Sequence, residues 1–311
     1  MGSKRVLILG GSGMLGSMLC DYFVVHTDCE IAFTYHSNPS DKLAWPGETI
    51  ASYPLDVSNE ANLEPGLIRI LTDFDPDYVI NCIGLIKNYC NDPSNSRQTQ
   101  QAIRINSIFP YSLAKLVEKV SDNAKIIQIA TDCVYDGLKG KYNEHQPHDA
   151  LDVYGKTKSL GEVVSPNFLN IRCSIIGPEL SNKSSLLEWF LSNPDGTEVM
   201  GFEHHFWNGV TTLQFAQYCH GIIANNLFHQ LRDINHTLHY VVNSSVNKYE
   251  LLHIFNSSFQ RTIGIAKKND SENIVDRTIS SIFLNLDLSP MEQSIEELKS
   301  YIRKSNVFKN R

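Results

Sequence analysis

From Lys4 to about Ser174, the chain alternates between short apolar runs, many of them β-branched, and longer amphipathic stretches. Five of the short runs predict buried strands, at residues 6–10, 30–35, 78–84, 125–130 and 168–173. Between the strands, apolar residues recur at helical spacing around residues 14–23, 59–72, 99–120 and 152–164. This alternation is typical of βαβ units, in which helices cover both faces of a parallel sheet. We therefore predict an α/β fold built on a doubly wound parallel sheet.

The regular pattern weakens after Gly177 and Pro178. Beyond that point the sequence predicts helices near 185–191 and 213–225, a strand at 238–243 and another helix after Lys248. No repeat or low-complexity linker separates the two regions. We expect a first domain over residues 1–177, rejoined by about 206–243, and a smaller, partly interleaved C-terminal lobe made mainly of residues 178–311.

Composition narrows the class of protein. With 311 residues, 42% of them apolar, the chain can bury a core in each region. Its seven cysteines show neither CxxC nor zinc-site spacing, so we expect no metal and no disulfide framework. A net charge of -7 argues against a nucleic-acid partner. No apolar run approaches the length of about 18 residues needed to span a membrane, and the chain starts directly with a predicted strand. We therefore expect a cytoplasmic protein.

A glycine-rich segment, GGSGMLG at residues 10–16, follows the first predicted strand and opens the first helix. Glycines at such a turn permit positive φ and close backbone approach, and free N–H groups at a helix N-terminus bind phosphate. In this context the motif predicts a Rossmann-like domain that binds NAD(P), whereas an isolated match would be only a glycine-rich turn. The expected contacts come from Gly10, Gly13, Met14, Leu15 and Gly16.

The end of the second predicted strand bears on cofactor choice. Tyr35, His36 and Ser37 stand where NAD-specific proteins usually place an acidic residue for the ribose 2′-OH. Without that carboxylate a 2′-phosphate is not repelled, and His36, Ser37 and Lys42 are candidates to bind it. NADPH is therefore favoured, and NADH stays possible. Between the second and third predicted strands, Asp56 and Val57 are candidate adenine contacts, although Asp56 would equally suit a helix N-cap.

A YxxxK motif places Tyr154 and Lys158 on one face of a predicted helix, at positions i and i+4. An ammonium beside a tyrosine favours the phenolate, which makes the pair useful for acid–base chemistry. Thr131 follows the strand predicted at 125–130, at the sheet edge where ligands bind in open α/β folds. The YxxxK pattern alone is common on exposed helices. The order of glycine loop, Thr131 and YxxxK is much harder to obtain by chance.

Further matching segments are Asn81 to Gly84, Asn106, Thr131 to Gly137, Tyr142 to Glu144, and Gly161 with Glu162. Together with the glycine loop and YxxxK, they resemble an extended short-chain dehydrogenase/reductase. More narrowly, the chain resembles the dTDP-4-dehydrorhamnose reductase group, sugar-nucleotide 4-ketoreductases of bacterial surface-polysaccharide pathways. The resemblance covers the first 180 residues well and continues more weakly through 206–212 and 275–278.

The resemblance implies hydride transfer from the nicotinamide to a sugar 4-keto carbon, with Tyr154 protonating the oxygen and Thr131 hydrogen-bonding it. Lys158 would hold the cofactor ribose and lower the Tyr154 pKa, and Asn106 would support Lys158. It also places Cys82, Ile83 and Gly84 beside the cofactor and Asp132 near the substrate, with loop capping as the alternative for Asp132. The expected partner is a nucleotide sugar, and a homodimer is possible.

Cys133 departs from the reductase pattern, which usually has an aromatic residue there. In related epimerase/reductases a cysteine at this spacing acts in epimerisation beside the keto carbon. The chain is therefore a candidate bifunctional enzyme, with His204 or His205 as a second proton-transfer group. The alternative is that Cys133 merely fills the pocket wall.

In the second lobe, Arg277 is the candidate diphosphate contact, since it lies in the segment resembling the family's C-terminal arginine motif. Trp207 is a candidate stacking residue that could equally pack in the core. A third hypothesis is that the protein is not an enzyme but a non-catalytic subunit that keeps only the dinucleotide-binding fold. The presence of Thr131, Tyr154 and Lys158 argues against this hypothesis.

Overall fold

The computed structural model describes residues 3–37, 43, 45, 50–92, 94–121, 123–181 and 183–308. Its strands are β1 (Arg5–Leu9), β2 (Glu30–Tyr35), β3 (Ala51–Pro54), β4 (Tyr78–Asn81), β5 (Lys125–Thr131), β6 (Phe168–Cys173), β7 (Ile175–Ile176), β8 (Glu198–Phe202), β9 (His205–Trp207), β10 (Val210–Thr211), β11 (Thr237–His239), β12 (Val246–Asn247), β13 (Gly264–Lys268) and β14 (Val275–Asp276). Its helices are α1 (Met14–His26), α2 (Glu60–Phe74), α3 (Ser96–Ala102), α4 (Phe109–Val120), α5 (Val153–Leu160), α6 (Leu186–Ser192), α7 (Thr212–Ala224), α8 (Phe228–Ile234), α9 (Lys248–Ser258) and α10 (Met291–Lys304).

Seven parallel strands form the central sheet, in the order β11-β6-β5-β4-β1-β2-β3. The chain runs outward from β1 in one direction through β2 and β3, and in the other through β4, β5 and β6. The crevice where these two directions diverge lies at the carboxyl ends of β1 and β4. The predicted α/β, Rossmann-like doubly wound sheet is confirmed.

Alternate residues of β1 show why its sequence is apolar throughout. Val6 and Ile8 pack in one core together with α1 and α7, whereas Leu7 and Leu9 pack in a second core with α2 and α4. A strand covered by helices on both faces buries every side chain, so its sequence does not alternate between apolar and polar residues.

The long helix predicted over 99–120 is divided in the structure. It begins as α3, continues through a π-helical turn over Ile103–Ile108 and ends as α4. Such π-turns often mark functional positions because the extra residue redirects a side chain. Here the turn contains Asn106.

The remaining strands form small sheets outside the central one: β10 with β7, β13 with β8, and β9 between β12 and β14. The larger core cluster joins these parts to the sheet, since it contains Val6 and Phe23 as well as Phe190, Phe255 and Leu298. The C-terminal region is therefore packed on the sheet over an apolar surface, and β11 returns to complete the sheet next to β6.

All seven cysteines are free thiols. Within the described ranges, no helix combines the length and the apolar character that crossing a membrane requires. Among the same residues, no group of three or more His, Cys, Asp or Glu side chains is arranged to hold a metal ion.

Candidate active site

A cavity of about 740 Å³ opens at the carboxyl edge of the sheet. Its walls come from the glycine loop, from the segments after β4 and β5, from α5 and from the C-terminal lobe. The predicted residues that line it are Met14, Leu15, Gly13, Cys82, Ile83, Gly84, Thr131, Asp132, Cys133, Tyr154, Lys158, Trp207 and Arg277. The structure therefore brings most of the predicted cofactor, catalytic and substrate residues to one place.

The glycine loop is built by close backbone contacts. Gly10 has φ +80°, and a Cβ at Gly16 would lie 2.1 Å from the Gly10 carbonyl oxygen. The Thr34 hydroxyl accepts a 3.0 Å hydrogen bond from the Gly10 N–H, which fixes the turn against β2. Gly13 is the N-cap of α1 and offers no capping side chain, so the first N–H groups of α1 are available to phosphate oxygens. Gly10 and Gly16 shape this turn, and Gly13 faces the cavity. The loop fits a dinucleotide.

The residues expected at the adenosine end lie together at the ends of β2 and β3. His36 Nε2 is 3.9 Å from Asp56 Oδ1, and His36 Nδ1 is 3.3 Å from the Ser37 hydroxyl. Asp56 Oδ1 accepts hydrogen bonds from the Ser58 hydroxyl and N–H, and these bonds lower the Asp56 pKa. Asp56 thus fixes the turn before α2, whose N-cap position is Asn59.

Tyr35 and Val57 are neighbours of this group along the chain. Adenine contact by Asp56 and Val57 and ribose contact by Tyr35 stay predictions. Lys42 lies outside the described residues.

Helix α5 begins where Asp152 Oδ1 accepts a 2.8 Å hydrogen bond from the Gly155 N–H. The other carboxylate oxygen of Asp152 forms a 2.7 Å salt bridge with Lys87, in the segment after β4. A Cβ on Gly155 would lie 2.6 Å from the Cys133 carbonyl oxygen, so the helix packs directly against the backbone that follows β5. This close approach brings Tyr154 to Thr131.

Tyr154 and Thr131 both line the cavity, and the Thr131 hydroxyl is near enough to the Tyr154 hydroxyl to affect its pKa. Burial is the main reason that the Tyr154 pKa lies well above its usual value; the neighbouring Cys133 thiol raises it further, and the Thr131 hydroxyl lowers it. Tyr154 is consequently a protonated phenol at neutral pH. Burial, and not the Lys158 ammonium, dominates this pKa, contrary to the expectation from sequence.

Lys158 is buried, and its Nζ donates a 3.1 Å hydrogen bond to the Ile129 carbonyl oxygen. Burial lowers the Lys158 pKa to about 8, and the Glu162 carboxylate opposes that change. Gly84 lies beside Lys158, with its Cβ position 3.9 Å from Nζ, and both residues line the cavity. Contact of Lys158 with a cofactor ribose stays a prediction.

Asn106 is almost fully buried behind Lys158. Its Oδ1 accepts a 2.8 Å hydrogen bond from the Leu85 N–H, and its Nδ2 donates to the Leu85 carbonyl oxygen and to the Thr157 hydroxyl. The side chain therefore connects the segment after β4 with α5. Asn106 is absent from the cavity lining among the described residues, so its geometry is that of a positioning residue.

Asp132 and Cys133 follow Thr131 directly. Burial raises the Asp132 pKa, and the Arg277 guanidinium opposes this. Burial and the Asp132 carboxylate raise the Cys133 pKa to about 12, so Cys133 is a neutral thiol facing the cavity.

The two candidate histidines differ in position. His205 lines the cavity, and burial together with the Lys248 ammonium lowers its pKa to about 4. The His204 Nδ1 accepts a hydrogen bond from the Asp270 N–H, and this buried side chain is not part of the described cavity wall.

The C-terminal lobe contributes Trp207 and Arg277. The Trp207 ring packs over Gly209, where a Cβ would lie 2.1 Å from it, and the residue is half-buried. Arg277 packs against Gly137, whose φ is +89°. The Arg277 Nε is buried and makes no hydrogen bond within the described part of the chain.

Lys248, at the first position of α9, also lines the cavity and was not identified from sequence. Burial and the Arg277 guanidinium lower its pKa. Nothing in its local sequence separates Lys248 from the other 26 lysines and arginines, because only the tertiary packing of α9 turns it toward the cavity. Lys87 was missed for the same reason.

Comparison with known proteins places this site in a family. The sequence model of the family described as RmlD substrate binding domain matches residues 4–262. A dTDP-4-dehydrorhamnose reductase from Aggregatibacter actinomycetemcomitans is 27% identical over 183 residues, which are 57% of this chain and 53% of that relative. This chain thus spans about half the length of that relative. Methionine adenosyltransferase 2 subunit beta from Danio rerio is 24% identical over 257 residues, which are 80% of this chain and 72% of that protein.

Solved structures share the fold at low sequence identity. A dTDP-4-dehydrorhamnose reductase from Bacillus anthracis in complex with NADP has a TM-score of 0.68 at 17% identity, covering 96% of this chain and 99% of that one. The Bordetella bronchiseptica enzyme WbmG in complex with NAD and UDP has a TM-score of 0.72 at 15% identity, covering 99% and 97%. The family match covers most of the sequence, including the glycine loop, Thr131 and the YxxxK helix. The chain therefore belongs to the RmlD substrate binding domain family.

Proposed function

We propose that this protein uses NADPH to reduce the 4-keto group of a nucleotide-activated deoxysugar. The observation that carries the proposal is that the Thr131 and Tyr154 side chains line one cavity together with Lys158 and residues of the glycine loop. A hydroxyl pair of this kind suits a carbonyl oxygen, which can accept a hydrogen bond from each. The similarity to a curated dTDP-4-dehydrorhamnose reductase supports the same reaction.

The dinucleotide, when bound, supplies a hydride to the carbonyl carbon and leaves in its oxidised form. Tyr154 supplies the proton: its raised pKa keeps it protonated until the oxygen acquires negative charge. Thr131 holds the same oxygen, and Lys158 positions the ribose. Hydride and proton together convert the ketone to an alcohol, with no covalent intermediate on the protein.

For the cofactor, we propose NADPH in preference to NADH. His36 and Ser37 are exposed at the end of β2 and offer hydrogen bonds to a 2′-phosphate. Asp56, 3.9 Å from His36, counts against a strong preference because its charge repels phosphate. The related solved structures contain NADP in one case and NAD in another.

For the substrate, Arg277 and Lys248 favour a nucleoside diphosphate. Both cations line the cavity on the side of the C-terminal lobe, and neither forms a salt bridge with any described residue. Two such cations attract a diphosphate, and the half-buried Trp207 offers an apolar ring beside them.

We also place the protein in the cytoplasm, where its seven free thiols would stay reduced. A homodimer is our expectation for its assembly.

The similarity to a methionine adenosyltransferase subunit supports a second candidate, a dinucleotide-binding subunit without catalysis. The two candidates differ at Tyr154, since binding a dinucleotide does not require a buried phenol beside Thr131. A third candidate, an epimerase/reductase, is supported by the shared position of Cys133 and His205 on the cavity wall.

Tyr154→Phe should reduce turnover by about 10²- to 10⁴-fold, because the substitution removes the general acid. NADPH affinity should stay within about threefold, a change below 1 kcal/mol. Turnover is followed at the nicotinamide absorbance with a panel of dTDP-, UDP- and GDP-4-keto-6-deoxysugars, and binding by NADPH fluorescence. Tyr111→Phe, on the exposed surface of α4, is the matched control. Equal turnover of Tyr154→Phe and Tyr111→Phe would show that Tyr154 is not the general acid. If the wild-type protein binds NADPH but reduces no sugar of the panel, the non-catalytic subunit is favoured.

His36→Ala should weaken NADPH binding about five- to tenfold, the size of one exposed hydrogen bond to phosphate, and leave NADH binding unchanged. The dissociation constants of both cofactors are measured by fluorescence titration. His253→Ala, at an exposed position on α9, serves as the control. Equal losses for both cofactors would show that His36 does not contact a 2′-phosphate.

Lys158→Met should stabilise the fold at pH 7 by roughly 1 to 3 kcal/mol, since the change of the Lys158 pKa from 10.5 to about 8 corresponds to about 3 kcal/mol. The folded pKa is depressed, so the penalty is complete below pH 8 and fades as pH rises toward 10.5. The stability difference between variant and wild type should shrink between pH 7 and 9.5 in urea unfolding. Lys156→Met, exposed on the same helix, should show no such pH dependence. If the stability difference between Lys158→Met and wild type stays constant from pH 7 to 9.5, Lys158 is not a buried charge with a lowered pKa.

Cys133→Ser separates reduction from epimerisation. A bifunctional enzyme should lose most solvent-deuterium incorporation next to the keto group and keep reduction within a few-fold, because Tyr154 and Thr131 are untouched. Mass spectrometry of the product in D₂O measures the incorporation. If wild type incorporates no deuterium, or the variant incorporates as much as wild type, Cys133 is a wall residue.

A further inference from the structure

A tight turn in the segment after β5 packs against Arg277, the candidate diphosphate contact. Gly137 in this turn has φ +89°, a left-handed conformation that favours glycine, and a Cβ there would lie 3.0 Å from Arg277 Cγ and 3.4 Å from Arg277 Nε. The Arg277 Nε is buried and makes no hydrogen bond with any residue that the structure describes. Packing on the turn is therefore the support that the structure shows for this cavity-lining side chain.

The turn is built around the hydroxyl of Tyr142, a residue that is 1% exposed. This hydroxyl donates a 2.7 Å hydrogen bond to Asp136 Oδ1 and accepts bonds of 3.1 Å from the Gly137 N–H and 3.0 Å from the Lys139 N–H. Asp136 Oδ1 also accepts a 2.9 Å bond from the Leu138 N–H. Loss of the Tyr142 hydroxyl would therefore remove three hydrogen bonds from one short turn.

The backbone of the turn also holds the chain on both sides of Arg277. The Asp276 N–H donates a 2.7 Å hydrogen bond to the Gly137 carbonyl oxygen, and the Tyr142 N–H donates a 3.0 Å bond to the Thr278 carbonyl oxygen. Arg277 consequently lies between two residues that are bonded to the turn, and its side chain rests on the same turn. These backbone bonds do not involve the Tyr142 hydroxyl, so a substitution can remove the hydroxyl and leave them in place.

A short buried connection relates the turn to Thr131. The turn begins at Asp136, and the side chains of Val134 and Tyr135 between these two residues are almost fully buried. The position of Arg277 is thereby tied to that of the Thr131 hydroxyl, which is expected at the keto oxygen. In a 4-keto sugar nucleotide the keto group and the diphosphate lie on opposite sides of the sugar ring, so both protein groups must be held at a separation that matches the substrate.

We propose that Tyr142 is a positioning residue for the substrate diphosphate: its hydroxyl fixes the Gly137 turn, and the turn orients the Arg277 guanidinium in the cavity. This inference rests on the proposed function, because it takes the substrate to be a nucleotide sugar. The competing explanation is that the Tyr142 hydroxyl only stabilises the fold. A purely structural hydroxyl affects the free energy of unfolding, whereas a positioning hydroxyl affects diphosphate affinity through Arg277 and has no effect on it once Arg277 is replaced.

The test is a double-mutant cycle on the affinity of the full-length protein for dTDP, UDP and GDP, measured by titration calorimetry. Tyr142→Phe keeps the ring that stacks on Tyr135 with ring centres 4.3 Å apart. It should weaken the affinity for the best-bound probe about tenfold, and Arg277→Gln should weaken it about 10²-fold. The double variant should stay within about twofold of Arg277→Gln, because no guanidinium remains to be oriented.

Two controls accompany the cycle. NADPH affinity should be the same in all variants, because the glycine loop is untouched. Tyr53→Phe also removes a tyrosine hydroxyl that donates to a carboxylate, here a 2.6 Å bond to Asp73 away from the cavity lining, and should bind the probes like wild type. The proposal is overturned if Tyr142→Phe binds the probes as tightly as wild type, or if its full effect persists in the Arg277→Gln background.

If Tyr142→Phe does not fold, Asp136→Ala removes the acceptor of the Tyr142 hydroxyl and takes its place in the cycle. Loss of an acidic side chain by itself favours an anion, so a weaker affinity in Asp136→Ala identifies the loosened turn, and an equal or higher affinity overturns the proposal. If wild type binds none of the three probes, the nucleotide-sugar part of the proposed function fails and this inference fails with it. Probe binding that is equal in wild type and Tyr142→Phe contradicts this inference alone.

Discussion

The close approach of α5 to the sheet edge is the constraint on which the candidate site depends. Two glycines permit it: a Cβ at Gly155 would lie 2.6 Å from the Cys133 carbonyl oxygen, and one at Gly161 would lie 1.9 Å from that of Asn106. Backbone thus packs on backbone at both ends of the helix. Tyr154 and Lys158 lie between these two contacts, so the positions of both side chains follow from a packing arrangement that only glycine allows at its two ends.

That packing has an electrostatic consequence. A helix pressed this close to the sheet excludes water from Lys158, and burial then lowers the pKa of the amine. The same burial raises the Tyr154 pKa and keeps the phenol protonated. Both changes favour neutral forms, which suits a proton donor but not a cation. The Glu162 carboxylate opposes this effect of burial on the Lys158 pKa.

The sequence predicted those functional residues that belong to short motifs next to a predictable strand or helix. The glycine loop, Thr131 after β5 and the YxxxK helix are short motifs tied to predictable elements, and the parallel strands were visible as continuous apolar runs. Helix α10 was missed although Met291, Ile295 and Leu298 repeat at helical spacing and are fully buried. That signal was present and was obscured by the surrounding charged residues.

Other features were not accessible from local sequence at all. Lys248 reaches the cavity wall through packing between elements far apart in the chain, and one sequence does not reveal such contacts. The direction of the Tyr154 pKa was misjudged because spacing indicates which residues are adjacent but not how much water remains. Position on a helix face is a local property, whereas burial depends on the whole fold.

An enzyme and a dinucleotide-binding subunit would share the residues that hold a dinucleotide. They differ in whether the cavity also contains groups that dinucleotide binding does not need. The glycine loop and Lys158 serve binding in either case, because phosphate and ribose contacts are the same. The buried Tyr154 phenol beside Thr131 has no part in those contacts, and Arg277 and Lys248 of the C-terminal lobe line the same cavity. The proposed carbonyl reduction gives the phenol and the two cations a role that dinucleotide binding alone does not. That arrangement favours catalysis over binding alone.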